Sequence, residues 1–154
     1  MTVIAFRQGI LSADSGVSDD IIICGAKQKV VRRKDGALAA AAGDIHSIDS
    51  FFRWFQANFK RGQPEILSDD FDAIVVRPDG SVTFYNQHLV PAQMDGEYFA
   101  LGTGGDVALG AMAHGASAID AVRAGIKHTT NCRGPIQALR LDGKVVDFGP
   151  KGRG

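Results

Sequence analysis

At 154 residues, with 17 basic against 17 acidic side chains, the chain has no net charge to draw it to nucleic acid or to an anionic membrane. Its 45% hydrophobic content is enough for one domain with a proper core, yet no apolar run approaches the roughly 20 residues that span a bilayer. Cys24 and Cys132 form neither a disulfide framework nor a metal-spaced pair, and the start lacks a signal-peptide pattern, so a cytoplasmic protein with reduced thiols is expected.

The first predicted element is a hairpin of strands 2–7 and 10–14, turning at Gln8-Gly9 with Arg7 opposite Ile10. That register brings Thr2 opposite Ser15, one position from Asp14. Asp35-Gly36 predicts a second hairpin, 29–34 with 37–42. After Gly43, Asp44 can cap a helix that carries Ile48, Phe52, Phe55 and Phe59 on one face and ends at Gly62. Its aromatic residues Phe51, Phe52, Trp54, Phe55 and Phe59 exceed what one core-facing stripe needs. The surplus predicts contact with another chain.

Asp79-Gly80 predicts a hairpin of 72–77 with 81–86, and 98–102 reads as a further short strand. Two helices follow, over 105–114 and 117–127, the first rich in alanine and glycine and so able to pack closely. Asp142-Gly143 predicts a last hairpin, 135–141 with 144–148. No repeat or linker divides the chain, so residues 1–154 read as one domain. The order of elements is satisfied by an α+β fold of two antiparallel sheets with helices on their outer faces.

Few residues invite chemistry. The four histidines, His46, His88, His114 and His128, have no ligand spacing, so no metal or cofactor is expected. The stretch Leu101-Gly-Thr-Gly-Gly-Asp106 lacks the lysine of a phosphate-binding loop and the third glycine of a dinucleotide fingerprint. What remains is a glycine-rich helix entry whose N–H groups can meet an anion or a developing oxyanion. Lys27, Lys29, Arg32, Arg33 and Lys34 read as a solvated strand face, without the aromatic platform of a single-strand binder.

The opening Met1-Thr2 is different. Removal of Met1 would place a hydroxyl and an α-amine on one residue. An α-amine titrates near pH 7.7–8.0, so it can take the hydroxyl proton close to neutral pH. Nucleophile and base then form a unit that still needs a nearby cation, a carboxylate to hold it and N–H donors for an oxyanion. Taken singly, Asp14 reads as a turn residue, Lys29 as a surface lysine and Gly43 as the end of a strand.

Three stretches together resemble the proteasome β-subunit and HslV-type peptidase family of N-terminal nucleophile hydrolases. They are Thr2-Val-Ile-Ala-Phe with Gly9-Ile-Leu-Ser-Ala-Asp14-Ser15; Lys29-Val-Val-Arg-Arg33 with Leu38-Ala-Ala-Ala-Ala-Gly43-Asp44; and Leu101-Gly-Thr-Gly-Gly105. The resemblance implies a four-layer αββα sandwich, stacked homo-oligomeric rings, a peptide or protein substrate and a possible ATP-dependent unfoldase partner. It implies that Thr2 is nucleophile and proton acceptor, Lys29 the cation beside the amine, and Asp14 the carboxylate paired with it. The Gly43 N–H is implied as oxyanion donor, and Thr103 stands where the family carries a supporting serine.

The chain departs from the family in its shorter opening hairpin. It also has no acid in Lys127-His-Thr-Thr-Asn-Cys-Arg-Gly-Pro135, where either Thr129 or Asn131 substitutes or the support is absent. Two other readings stay open: a catalytically silent ring or scaffold subunit of the same fold, and a small-molecule amidohydrolase.

Overall fold

A computed structural model describes residues 1–19 and 22–149. Strands β1 (Ile4–Arg7) and β2 (Ile10–Ala13) form the opening hairpin, with Arg7 opposite Ile10. Gln8 and Gly9 turn it, both at positive φ. β3 (Gly16–Asp19) and β4 (Ile22–Ala26) make a separate two-stranded ribbon. β5 (Val30–Arg32) and β6 (Leu38–Ala42) precede helix α1 (Ile45–Gln56); β7 (Asp72–Val76), β8 (Val82–Asn86), β9 (Pro91–Met94) and β10 (Tyr98–Leu101) follow it. Helices α2 (Gly105–Ala113) and α3 (Ala118–His128) lead to β11 (Gln137–Arg140).

Two larger antiparallel sheets result, ordered β10-β1-β2-β11 and β5-β6-β7-β8-β9. The period-two alternation of strand side chains builds their packing. Ile4 and Phe6 of β1 face Leu38, Ala40, Ile74 and Val76 of the other sheet. Their neighbours Val3 and Ala5 face Met112, Ala121 and Val122 of α2 and α3. On β6, Ala39 and Ala41 turn the other way, toward Phe51 and Phe55 of α1. The chain is therefore α+β, and this packing is compatible with the expected sandwich of two sheets with helices outside.

Several expectations need correction. Residues 144–148 form no strand: Val145 and Phe148 are exposed, and β11 pairs with β2 instead. The first helix stops at Ala57, because Asn58 and Phe59 take left-handed backbone conformations. Its aromatic surplus is not an outer surface. Phe51, Phe52, Trp54 and Phe55 are buried, and Phe51 and Trp54 pack against Phe71 and Tyr85 of the same chain. The basic run is not a solvated face either: Lys29 and Arg33 are buried, with the Arg33 guanidinium over the Phe55 ring. Strands β3, β4 and β9 are additional to the elements that the turn signals predict. The Cys24 side chain lies outside the described residues. Among the described residues, no helix is long and apolar enough to cross a membrane.

Candidate active site

The end of β2 builds the centre of the site. Continuing its register past Ala13 sets Asp14 opposite Val3, and two hydrogen bonds join the pair. The Asp14 N–H donates to the Val3 carbonyl at 3.2 Å, and the Val3 N–H donates to Asp14 Oδ1 at 3.0 Å. The carboxylate is fully buried beside the residue that follows Thr2. Such a group needs partners, since an unpaired buried charge is costly. Oδ2 accepts the Arg133 N–H at 3.1 Å, and Oδ1 also accepts from Lys29 Nζ at 3.1 Å.

Lys29 enters from the segment between β4 and β5 and is only 3% exposed. Its ammonium has three donors and three acceptors: Asp14 Oδ1, the Gly16 carbonyl at 2.8 Å and the Met1 carbonyl at 3.3 Å. Burial lowers its pKa below the ordinary value, and the Asp14 carboxylate works against that shift. The Met1 contact matters most, because the carbonyl carbon bearing that oxygen is bonded to the Thr2 nitrogen. Lys29 thus reaches the peptide group that joins Met1 to Thr2.

Thr2 itself is 3% exposed and is held by its main chain. Its carbonyl accepts the Gly104 N–H at 3.1 Å, and Gly102 lies so close that a Cβ there would come within 2.3 Å of that oxygen. The glycine-rich turn is therefore a seat for Thr2, and its Gly104 N–H is committed to the chain. Two cavities flank the residue. One, of about 320 Å³, is lined by Thr2, Lys29 and Gly43 with the apolar Val17, Ile45 and Ile48. The other, of about 210 Å³, is lined by Thr2, Gly43, Thr103, Asp70 and Asp72. Burial, then the neighbouring Asp70 charge, raises the Asp72 pKa.

Gly43 follows β6 at φ +140, where a Cβ would lie 2.7 Å from Ser68 Oγ. Asp44 then caps α1 by accepting the His46 and Ser47 N–H groups, each at 3.0 Å. Thr2, Asp14, Lys29 and Gly43 are thus brought together, while Thr103 sits exposed on the rim of the smaller cavity. The acid-free loop after α3 reaches Asp14 through the Arg133 main chain, a donor that side-chain spelling cannot reveal. Cys132 is buried next to it, its thiol pKa raised by burial and by Asp14. Among the described residues no three His, Cys, Asp or Glu side chains cluster as a metal site would require.

No family model matches the chain, and no curated protein matches it. Solved structures do. Thiobacillus denitrificans BPH superposes with a TM-score of 0.61 at 15% identity, over 97% of this chain and 99% of that one. The structure of Thiobacillus denitrificans BPH in complex with epoxomicin gives 0.59 at 16% identity, over 91% and 98%. At these identities the likeness speaks to the fold alone.

Proposed function

We propose that the chain is an N-terminal threonine amide hydrolase of the proteasome β and HslV type, acting on peptides once Met1 is removed. One observation carries the reading: a buried lysine, neutralised by a buried carboxylate, touches the carbonyl attached to the Thr2 nitrogen, with a cavity on either side. A buried cation beside an amine favours the neutral amine, which is the form that can act as base. In the proposed reaction the Thr2 nitrogen takes the Oγ1 proton as Oγ1 attacks the substrate carbonyl. The oxyanion is met by the Gly43 N–H. The amine product leaves with a proton, and water then hydrolyses the acyl-threonine ester, restoring the site.

The N-terminal nucleophile hydrolase form of the αββα sandwich, a closed homo-oligomeric ring and an ATP-dependent unfoldase partner belong to the same proposal. The ring now rests on the resemblance alone, since the aromatic helix is consumed by the chain's own core. Light scattering at micromolar concentration tests it, and a monomer contradicts it. A silent scaffold role is the second reading: in a chain that retained Met1 the Thr2 nitrogen would be an amide, unable to act as base.

The deciding experiment treats protein of verified mass, lacking Met1, with a β-lactone, a peptide boronate and epoxomicin, the last because a protein of this fold binds it. Modification confined to Thr2, and lost in Thr2→Ala, supports the hydrolase. A free Thr2 amine that takes up none of the three supports the scaffold.

A further inference from the structure

Gln137 lies on β11 directly opposite Ala13, the residue before Asp14. Its side chain leaves that sheet and meets the main chain leading into β5 of the other. Its Oε1 accepts two N–H groups, from Lys29 at 2.8 Å and from Val30 at 3.3 Å, and its Nε2 donates to the Lys27 carbonyl. These partners fix which end of the amide is oxygen, because two donors face one end and an acceptor faces the other. Residues 27–29 belong to no strand. Gln137 therefore stands in for a neighbouring strand, bonding three main-chain groups around Lys29.

We propose that Gln137 is a positioning residue that sets Lys29 against Asp14, by tying the main chain at Lys29 to the strand paired with the one that delivers the carboxylate. The reasoning is geometric. Asp14 is placed by β2, Lys29 by a non-strand segment, and their contact is buried at 3.1 Å. A buried pair repays desolvation only in good geometry. The consequence for rate rests on the threonine-hydrolase reading; the consequence for Lys29 does not.

Two variants separate positioning from packing. Gln137→Met keeps the length and loses all three bonds. Gln137→Glu reproduces the glutamine pattern when protonated, its OH donating to Lys27, and faces that carbonyl with a carboxylate when ionised. Two readouts are taken in protein lacking Met1: Thr2 acylation by a β-lactone from pH 5 to 8, and acetylation of Lys29 by acetic anhydride, mapped by peptide mass.

Gln137→Met is expected to slow Thr2 acylation at least tenfold and speed Lys29 acetylation at least tenfold, with cooperative unfolding retained. Relative to the unaltered protein, the Gln137→Glu rate is expected to fall at least threefold as pH rises, while the Gln137→Met ratio stays flat. Thr2 acylation within twofold in Gln137→Met, with Lys29 still protected, overturns the proposal. If Gln137→Met does not fold, a flat Gln137→Glu ratio overturns it instead. An unaltered protein inert at Thr2, together with Lys29 uncovered in Gln137→Met, overturns the hydrolase reading and supports the positioning role.

Discussion

Arg133 meets Asp14 with its main chain, the amide N–H lying 3.1 Å from Oδ2 while the residue is exposed. Side-chain identity at 133 is therefore free and the N–H is not. Arg133→Ala is expected to change stability by less than about 0.5 kcal/mol. Arg133→Pro removes the donor and leaves a buried carboxylate oxygen short of a partner, a loss of about 1–3 kcal/mol. Urea unfolding of both variants checks the contrast, and Thr2 labelling should fall only in the proline variant.

Retention of Met1 is expected to silence the protein. The amide nitrogen cannot accept a proton, and the loss of a general base is typically worth about 10²–10⁴ in rate. Intact mass and amide hydrolysis measured on one preparation decide the matter. Full activity in a population that retains Met1 would sink the mechanism.

The two lysines around Gln28 differ sharply. Lys29→Ala strands a buried carboxylate and should cost about 3–5 kcal/mol as well as turnover. Lys27 pairs with Asp49 at the surface, side chains 21% and 45% exposed, so Lys27→Ala should cost at most about 1 kcal/mol. Equal behaviour of the two variants in thermal unfolding and hydrolysis assays would contradict the placement.

Stability should also carry the mark of Lys29 at alkaline pH. Burial holds its pKa below the ordinary 10.5, so between the two values the unfolded chain binds more protons than the folded one. This group's contribution to stability therefore rises with pH until about 10.5. Urea midpoints from pH 7 to 10.5 should climb in the unaltered protein relative to Lys29→Met. A constant difference between the two curves would count against the shift.

Glycines give a paired test. Gly102 combines φ +85 with a would-be Cβ 2.3 Å from the Thr2 carbonyl oxygen, so Gly102→Ala must displace Thr2. It is expected to destabilise the fold and to abolish Thr2 labelling. Gly110, inside α2, has nothing within 4 Å of its would-be Cβ. Gly110→Ala should stabilise by about 0.5–1 kcal/mol through helix propensity, with labelling unchanged. Differential scanning calorimetry reads both signs.

Local turn chemistry made the first hairpins legible: Gln8-Gly9 fixed the register that sets Asp14 beside Val3, and Asp44 marked the start of α1. The Asp142-Gly143 turn misled, because a turn signal does not say whether the strand beyond it has a sheet edge to join. β11 spends its pairing on β2 instead. β3 and β4 carry no Asn-Gly or Asp-Gly turn, and their register shifts between Val17 and Ser18. Of the candidate site, Thr2, Asp14, Lys29 and Gly43, which the structure brings together, are legible because their side chains, or a side chain's absence, are spelled out. Arg133 and Gln137 are not, since Arg133 acts through its own main-chain N–H, 119 positions from Asp14, and Gln137 bonds a main-chain N–H 108 positions away.

The seat of Thr2 is made largely of peptide groups: the Gly104 N–H, the bare Cα of Gly102 and, through Asp14, the Arg133 N–H. Such a nest depends on the path of the chain and little on lettering, provided the glycines stay and proline stays out. Sequences can then drift a long way apart without dismantling it. The same freedom erodes the residue pattern by which kinship is ordinarily spotted, so relatives of this chain should be sought by shape and by the spacing of threonine, aspartate, lysine and glycine.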